Sequence, residues 1–185
     1  KAAEIHIPEI QPYVSHTKTP MYYTAELVKK EQPDCKTVFI GPCLAKRVEA
    51  ENDPNVDYVI TFEEIGAILN AAQINVAECE PIGFTEVSGG VAGAVASLIE
   101  GKVNYQPLKV DGLTKETVKL LKRYGSKAAS GAVCTNPDGC PFNMIEVMCC
   151  EGGCVAGPGC VALPKKSAKA VETYTAQGSD LKEKM

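Results

Sequence analysis

Short apolar runs alternate with amphipathic stretches along the chain, and their periods predict its elements. Thr37-Val38-Phe39-Ile40 and Asp57-Tyr58-Val59-Ile60 read as strands, the first of the kind covered on both faces. Thr19 ahead of Pro20 predicts a capped helix that carries Tyr22, Tyr23, Ala25, Leu27 and Val28. It ends near Lys29 and Lys30, where cations suit the carbonyl end of the dipole. Thr61 with Glu64 three places on is a capping box, opening a helix with Ile65, Ile68, Leu69 and Ala72 as its buried stripe. Two strand-to-helix units in succession predict an α/β fold, a short and mainly parallel sheet flanked by helices.

The remaining pattern is weaker. Residues 1–12 read as the tail of a helix ended by Pro12, with Ile5 and Ile10 facing inward, and residues 44–51 as a helical turn. Ser88-Gly89-Gly90 opens a helix of small residues over 91–99, where a backbone or bulky group can approach closely. Residues 105–111 alternate as a strand, and Thr114 to Tyr124 form an amphipathic helix closed by Gly125. Asn136-Pro137-Asp138-Gly139 is a turn, residues 143–148 are the last strand, and Pro164 opens a tail helix over 165–176.

Composition narrows the class. At 185 residues, 45% hydrophobic and 23% charged, the chain can bury a core of its own, and residues 1–185 are expected to form one domain. A net charge of -4 leaves no basic footprint for nucleic acid, and no apolar run approaches the ~20 residues of a membrane span. The first residues lack an initiator Met and read as a helix under way, so we expect a piece of a longer protein.

Nine cysteines, an odd count in a chain with its own core, favour cytoplasmic thiols used for metal or redox chemistry over a disulfide framework. Four of them fall between 149 and 160, where the last strand gives way to glycines. Cys150 and Cys154 are four apart, so on a helical turn they share one face. The Cys-x-x-Cys pairs of a four-coordinate zinc site are missing, and His6 and His16 are remote in sequence. An iron–sulfur cluster, with several metal corners, suits this spacing better. Cys43 lies just past the carboxyl end of a strand, the edge where α/β sheets bind ligands. Cys35, Cys79 and Cys134 read as small buried hydrophobes, while Cys140 and Cys160 stay open between accessory ligand and disulfide former.

Two longer motifs are more specific. Gly41-Pro42-Cys43-Leu44-Ala45-Lys46-Arg47-Val48-Glu49 resembles the Pro-Cys-x-x-Lys-x-x-Glu motif of iron-only (FeFe) hydrogenases. Glu146-Val147-Met148-Cys149-Cys150-Glu151-Gly152-Gly153-Cys154-Val155-Ala156-Gly157 resembles their Glu-x-Met-x-Cys-x-x-Gly-Cys-x-x-Gly motif. The resemblance runs from about Pro8 to Gly159, without placing about 102–142. It implies one lobe and the final cluster-binding segment of the H-cluster domain.

Carried over residue by residue, the resemblance implies Cys43, Cys150 and Cys154 as thiolate ligands of the cubane, with Cys154 bridging to the diiron subsite. Lys46 would donate to a cyanide there, and Met148 would pack against the subsite. Ser88, Gly89 and Gly90 match the small-residue segment beside the cofactor, and Ser15 matches a serine of the proton path. The three sulfurs are expected to converge on one cavity. The fourth cubane ligand would come from a Thr-Ser-Cys motif ahead of Lys1, so this piece alone is expected to be inactive. The implied cofactors are a 4Fe-4S cluster and a diiron subsite, the implied substrates hydrogen and protons, and the implied partner an electron carrier such as ferredoxin or further iron–sulfur domains. Three positions depart from the pattern: Gly41 replaces a Met, Cys149 an Ala, and Gly157-Pro158-Gly159 a triple glycine. They point toward the sensory or divergent branches, and the alternative is a redox or hydrogen sensor or a cluster-assembly factor.

Overall fold

The computed structural model describes residues 2–78, 90–99 and 103–175. In chain order these hold helices α1 (Ala2–His6), α2 (Pro20–Glu31), α3 (Ala45–Ala50), α4 (Phe62–Ala71), α5 (Gly90–Ile99), α6 (Lys115–Ala129) and α7 (Pro164–Thr175). The strands are β1 (Val38–Ile40), β2 (Tyr58–Ile60), β3 (Pro107–Asp111) and β4 (Met144–Met148). Two compact units divide the chain, one of residues 1–15 and 85–153, the other of residues 16–84 and 154–185.

The first unit is built on β3 and β4, which pair in parallel with Leu108 opposite Ile145 and Val110 opposite Val147. Alternation sends these four residues to one face, where Ile7, Val110 and Leu121 form the buried core and Ile10, Leu113 and Val118 pack around it. The amino-terminal segment is not one helix. α1 stops at His6, and a 3-10 helix over Pro8–Tyr13 follows with Pro12 inside it. Ile5 is 66% exposed, and Ile7, 1% exposed, fills the core instead. α6 runs past Gly125 to Ala129, so that glycine does not end it. A Cβ at Gly125 would lie 2.4 Å from the Glu9 carbonyl oxygen, so the missing side chain is what lets the 3-10 helix press onto α6.

The second unit is built on β1 and β2, also parallel, with Phe39 opposite Val59. Met21, Ala25 and Val56 form its core, against which Phe39, Ala50 and Val59 pack. β1 is not covered on both faces, because Val38 and Ile40 are each 44% exposed. Nor does α4 bury a stripe: Ile65 and Leu69 are half-buried, while Ile68 and Ala72 are exposed. Periodicity reports which face is apolar, not how much packs on it. The predicted parallel pairing holds, but as two two-stranded sheets.

Polar ties set the ends of these elements. The Thr61 capping box forms, with Thr61 Oγ1 accepting from Glu64 N at 3.1 Å and Glu64 Oε2 accepting from Thr61 N at 2.8 Å. Thr19, at the cap position of α2, makes no such bond and donates its hydroxyl to Glu49 instead. Asp57 accepts from Lys29, Lys36 and Thr37, which pins the start of β2 beside that of β1.

These carboxylates make the second unit acid-sensitive. The Thr61 backbone N–H and then the Arg47 guanidinium hold Glu64 at about 2, below its ordinary 4.5. The Lys29 ammonium and the Thr37 N–H hold Asp57 well below the usual carboxylate range. A folded-state pKa below the unfolded one contributes stability that is complete above the unfolded value and lost as pH falls through the folded one. Circular dichroism melts should therefore weaken progressively from about pH 4.5 toward pH 2, and Glu64→Gln should remove part of that slope.

Candidate metal centre

In the second unit, the end of β1 and the glycine loop after Cys154 are joined through the backbone. Gly159 N donates to Pro42 O at 3.0 Å, and Glu63 N donates to Gly159 O at 3.2 Å. A Cβ on Gly157 would lie 2.6 Å from Pro42 O and 3.0 Å from Cys154 O, so only glycine allows this closeness. Cys43, half-buried, immediately follows that junction, and Cys154 opens a short 3-10 turn, Cys154–Ala156, on its other side. The Cys160 thiol donates to Cys154 O at 3.6 Å, which binds the far end of the loop to its start.

Lys46 stands on α3, one turn beyond Cys43. Its ammonium donates to Glu49 Oε2 at 2.5 Å, and the Thr19 hydroxyl donates to the other oxygen of the same carboxylate. The Lys46 side chain is 20% exposed, a partly dry setting in which a compact cation with three donors can hold an anion. Glu49 and Thr19 therefore belong to this site, although spacing gave them only the role of motif acid and helix cap. The side of Gly41 is filled by the Phe39 ring, whose Cε1 would lie 2.7 Å from a Cβ there.

In the first unit, β4 delivers Cys149 and Cys150 into a tight turn. Gly112 N donates to Met148 O at 3.0 Å and Leu113 N to Cys149 O at 3.1 Å, so the turn is docked on the loop that leaves β3. Gly153 N closes it on Cys150 O at 3.0 Å. Gly152 and Gly153 both have positive φ, 88° and 75°, so Cys150 and Cys154 do not share a helical turn. The pair of glycines breaks the helical period that their spacing suggested.

Met148 alternates with Glu146 and Met144 along β4, on the face opposite the core. That face also meets α5: Ala92 N donates to Glu146 Oε2 at 3.3 Å, and the Tyr105 hydroxyl donates to Ala92 O at 3.1 Å. Burial, and then the Glu146 carboxylate, push the Tyr105 phenol up. The start of the small-residue helix at Gly90 thus belongs with the Glu146 face, while Ser88 and Gly89 lie outside the described residues. Ser15 is exposed in the coil that follows the 3-10 helix.

The remaining thiols divide as their surroundings dictate. Cys35, Cys43, Cys134, Cys140, Cys149 and Cys160 are free, Cys35 and Cys134 being half-buried rather than buried, and Cys79 lies outside the described residues. Among the described residues no group of three or more Cys, His, Asp or Glu side chains is close enough to hold a metal ion. The fit to an iron–sulfur cluster is one of donor type, and of the Pro42–Gly159 junction between the segments of Cys43 and Cys154, rather than of gathered ligands.

Comparison with known proteins agrees with these motifs. The family model of the iron only hydrogenase large subunit, C-terminal domain, matches residues 1–158. The chain is 26% identical over 211 residues to the periplasmic Fe hydrogenase large subunit of Nitratidesulfovibrio vulgaris, covering 89% of this chain and 50% of that protein. It is 25% identical over 213 residues to cytosolic iron-sulfur assembly component 3 of Mus musculus, covering 88% and 45%. The chain thus spans about half the length of these relatives. A variant of the FeFe-hydrogenase HydA1 from Chlamydomonas reinhardtii shares the fold, with a TM-score of 0.69 at 18% identity, covering 98% of this chain and 66% of that one. The chain belongs to the family defined by the C-terminal domain of the large subunit of iron-only hydrogenases.

Proposed function

We propose that this chain is part of a protein that catalyses reversible reduction of protons to hydrogen at an H-cluster, and that its two compact units work as one functional domain. The observation that carries this reading is the Pro42–Gly159 junction, which seats the segment bearing Cys43 against the loop opened by Cys154. In this reading Cys43, Cys150 and Cys154 would hold the cubane as thiolate ligands, and Cys154 would also serve the diiron subsite. When bound, the cluster supplies single electrons and metal positions for making and splitting hydrogen.

The chain's own residues bind and orient. The Lys46 ammonium, held by Glu49 and through it by Thr19, presents donors to an anionic ligand. Met148 would supply an apolar, polarisable wall beside the cofactor, and the small residues Ser88, Gly89 and Gly90 would leave room for it. The Ser15 hydroxyl passes protons between solvent and the site. Electrons come from a carrier such as ferredoxin or from further iron–sulfur domains. A cytoplasmic setting agrees with the cytosolic name of the mouse relative, whereas the Nitratidesulfovibrio relative is named periplasmic. Among the described residues no helix is long and apolar enough to cross a membrane.

A second reading, a sensor or an iron–sulfur assembly factor, is favoured by three observations. An assembly component matches at nearly the same identity and coverage as the hydrogenase. The Phe39 ring also occupies the side of Gly41, where a Met would pack on the diiron site, and Cys149 adds an exposed thiol beside Cys150. Hydrogen evolution by the intact parent protein from a reduced viologen separates the readings. Sustained turnover supports the hydrogenase, and a cubane paramagnetic signal without hydrogen supports the assembly or sensory role.

A further inference from the structure

Asp111 ends β3, in the stretch that the motif resemblance leaves unplaced, and its carboxylate does not serve the sheet. Its Oδ2 accepts from Gly152 N at 2.9 Å, across 41 residues of sequence. Gly152 is the residue whose positive φ turns the chain away from Cys150, and its N–H is one that no strand or helix ladder satisfies. A carboxylate accepting a backbone N–H makes a charge-assisted bond, stronger than a neutral one. The adjoining backbone adds two more ties, Gly112 N to Met148 O and Leu113 N to Cys149 O, one on each residue leading into Cys150. Gly112 completes the fit, since a Cβ there would lie 3.1 Å from Glu151 Cβ.

We infer that Asp111 is the positioning residue for the Cys150 turn: it fixes the Gly152 amide and thereby the direction in which Cys150 presents its sulfur. The role deepens the proposed function, since it gives a cluster ligand its placement, and rests on that reading for its purpose. Within the turn the backbone supplies one closure, Gly153 N on Cys150 O at 3.0 Å, and across two consecutive glycines, which resist opening least, the Asp111 carboxylate is the side chain that reinforces it.

Iodoacetamide alkylation of the metal-free chain, followed site by site by mass spectrometry, tests this. Cys140, exposed on a different loop of the same unit, is the internal reference. Asp111→Ala should raise the Cys150-to-Cys140 rate ratio about fivefold, the effect of one lost hydrogen bond on a local opening equilibrium. Asp111→Asn, which keeps an acceptor oxygen, should leave it near that of the unaltered chain. Asp111 is exposed, so both variants are expected to fold. An unchanged ratio in Asp111→Ala, or an equal rise at both cysteines, overturns the assignment. Iron–sulfur reconstitution of the intact parent is the separate arm. If the unaltered parent takes up no cluster while the ratio still rises, the proposed function fails and the positioning role of Asp111 stands.

Discussion

Cys43→Ser, Cys150→Ser and Cys154→Ser in the intact parent protein should each abolish stable incorporation of the cubane. The loss should exceed the roughly 10–100-fold that removing a supporting partner costs a metal site. A serine hydroxyl keeps the size and hydrogen-bonding capacity of the thiol but is not ionised near neutral pH, so it does not replace a thiolate on iron. The comparison that gives the result meaning is Cys140→Ser. Cys140 is exposed on the loop bridged by Thr135 and Pro141, and its loss should leave iron and sulfide content unchanged. Equal losses for all four variants would point to general destabilisation, and no loss for Cys43→Ser would remove that residue from the ligand set.

Gly157→Ala should be the most damaging change that touches no thiol. The added methyl would sit 2.6 Å from Pro42 O and 3.0 Å from Cys154 O, both backbone atoms that cannot swing aside. Relief requires the glycine loop to move off the end of β1, breaking the Gly159-to-Pro42 hydrogen bond. Overpacking of this kind costs about 1–3 kcal/mol, to be read as a lowered midpoint in urea. The same displacement separates the segments of Cys43 and Cys154, so cluster content in the intact parent should fall with stability. Gly131→Ala is the control for alanine as such: its Cβ meets nothing within 4 Å, although its positive φ adds a strain of its own. Should Gly157→Ala keep full stability and full cluster content, the junction is not what positions these segments.

Much of this was legible in the sequence because local chemistry decides it. The Thr61 capping box needs only Thr and Glu three apart, and it forms as read. The turn at Asn136–Gly139 closes with Gly139 N on Asn136 O at 3.0 Å and a positive φ at Gly139. Parallel pairing followed from short apolar strands separated by helices, and both sheets obey it.

What escaped was set by tertiary partners. Thr19 looks like a helix cap, yet its hydroxyl serves Glu49, 30 residues away. Gly125 looks like a helix stop, yet it is the place where Glu9 presses against α6. Ile5 lies in α1 and Ile7 just past its end, two positions on, and only the arrival of α6 and β3 selects Ile7 for the core. Within the candidate site, motif spacing named Cys43, Lys46, Glu49 and Cys150 but not Thr19, which holds Glu49, nor Asp111, which holds the turn after Cys150. Asp111 carries no signal at all, because its partner Gly152 is remote in sequence. The acid of the Glu-x-Met-x-Cys motif shows its use only in the fold, where Glu146 accepts from the first turn of α5.

The reading of this chain as part of a working hydrogenase rests most directly on whether the intact parent carries a diiron subsite as well as a cubane. Infrared spectra of that protein, purified without oxygen, should show bands of carbon monoxide and cyanide ligands that shift on exposure to hydrogen. A spectrum without such bands, from protein whose paramagnetic signal shows a cubane, would contradict it and leave the assembly or sensory role.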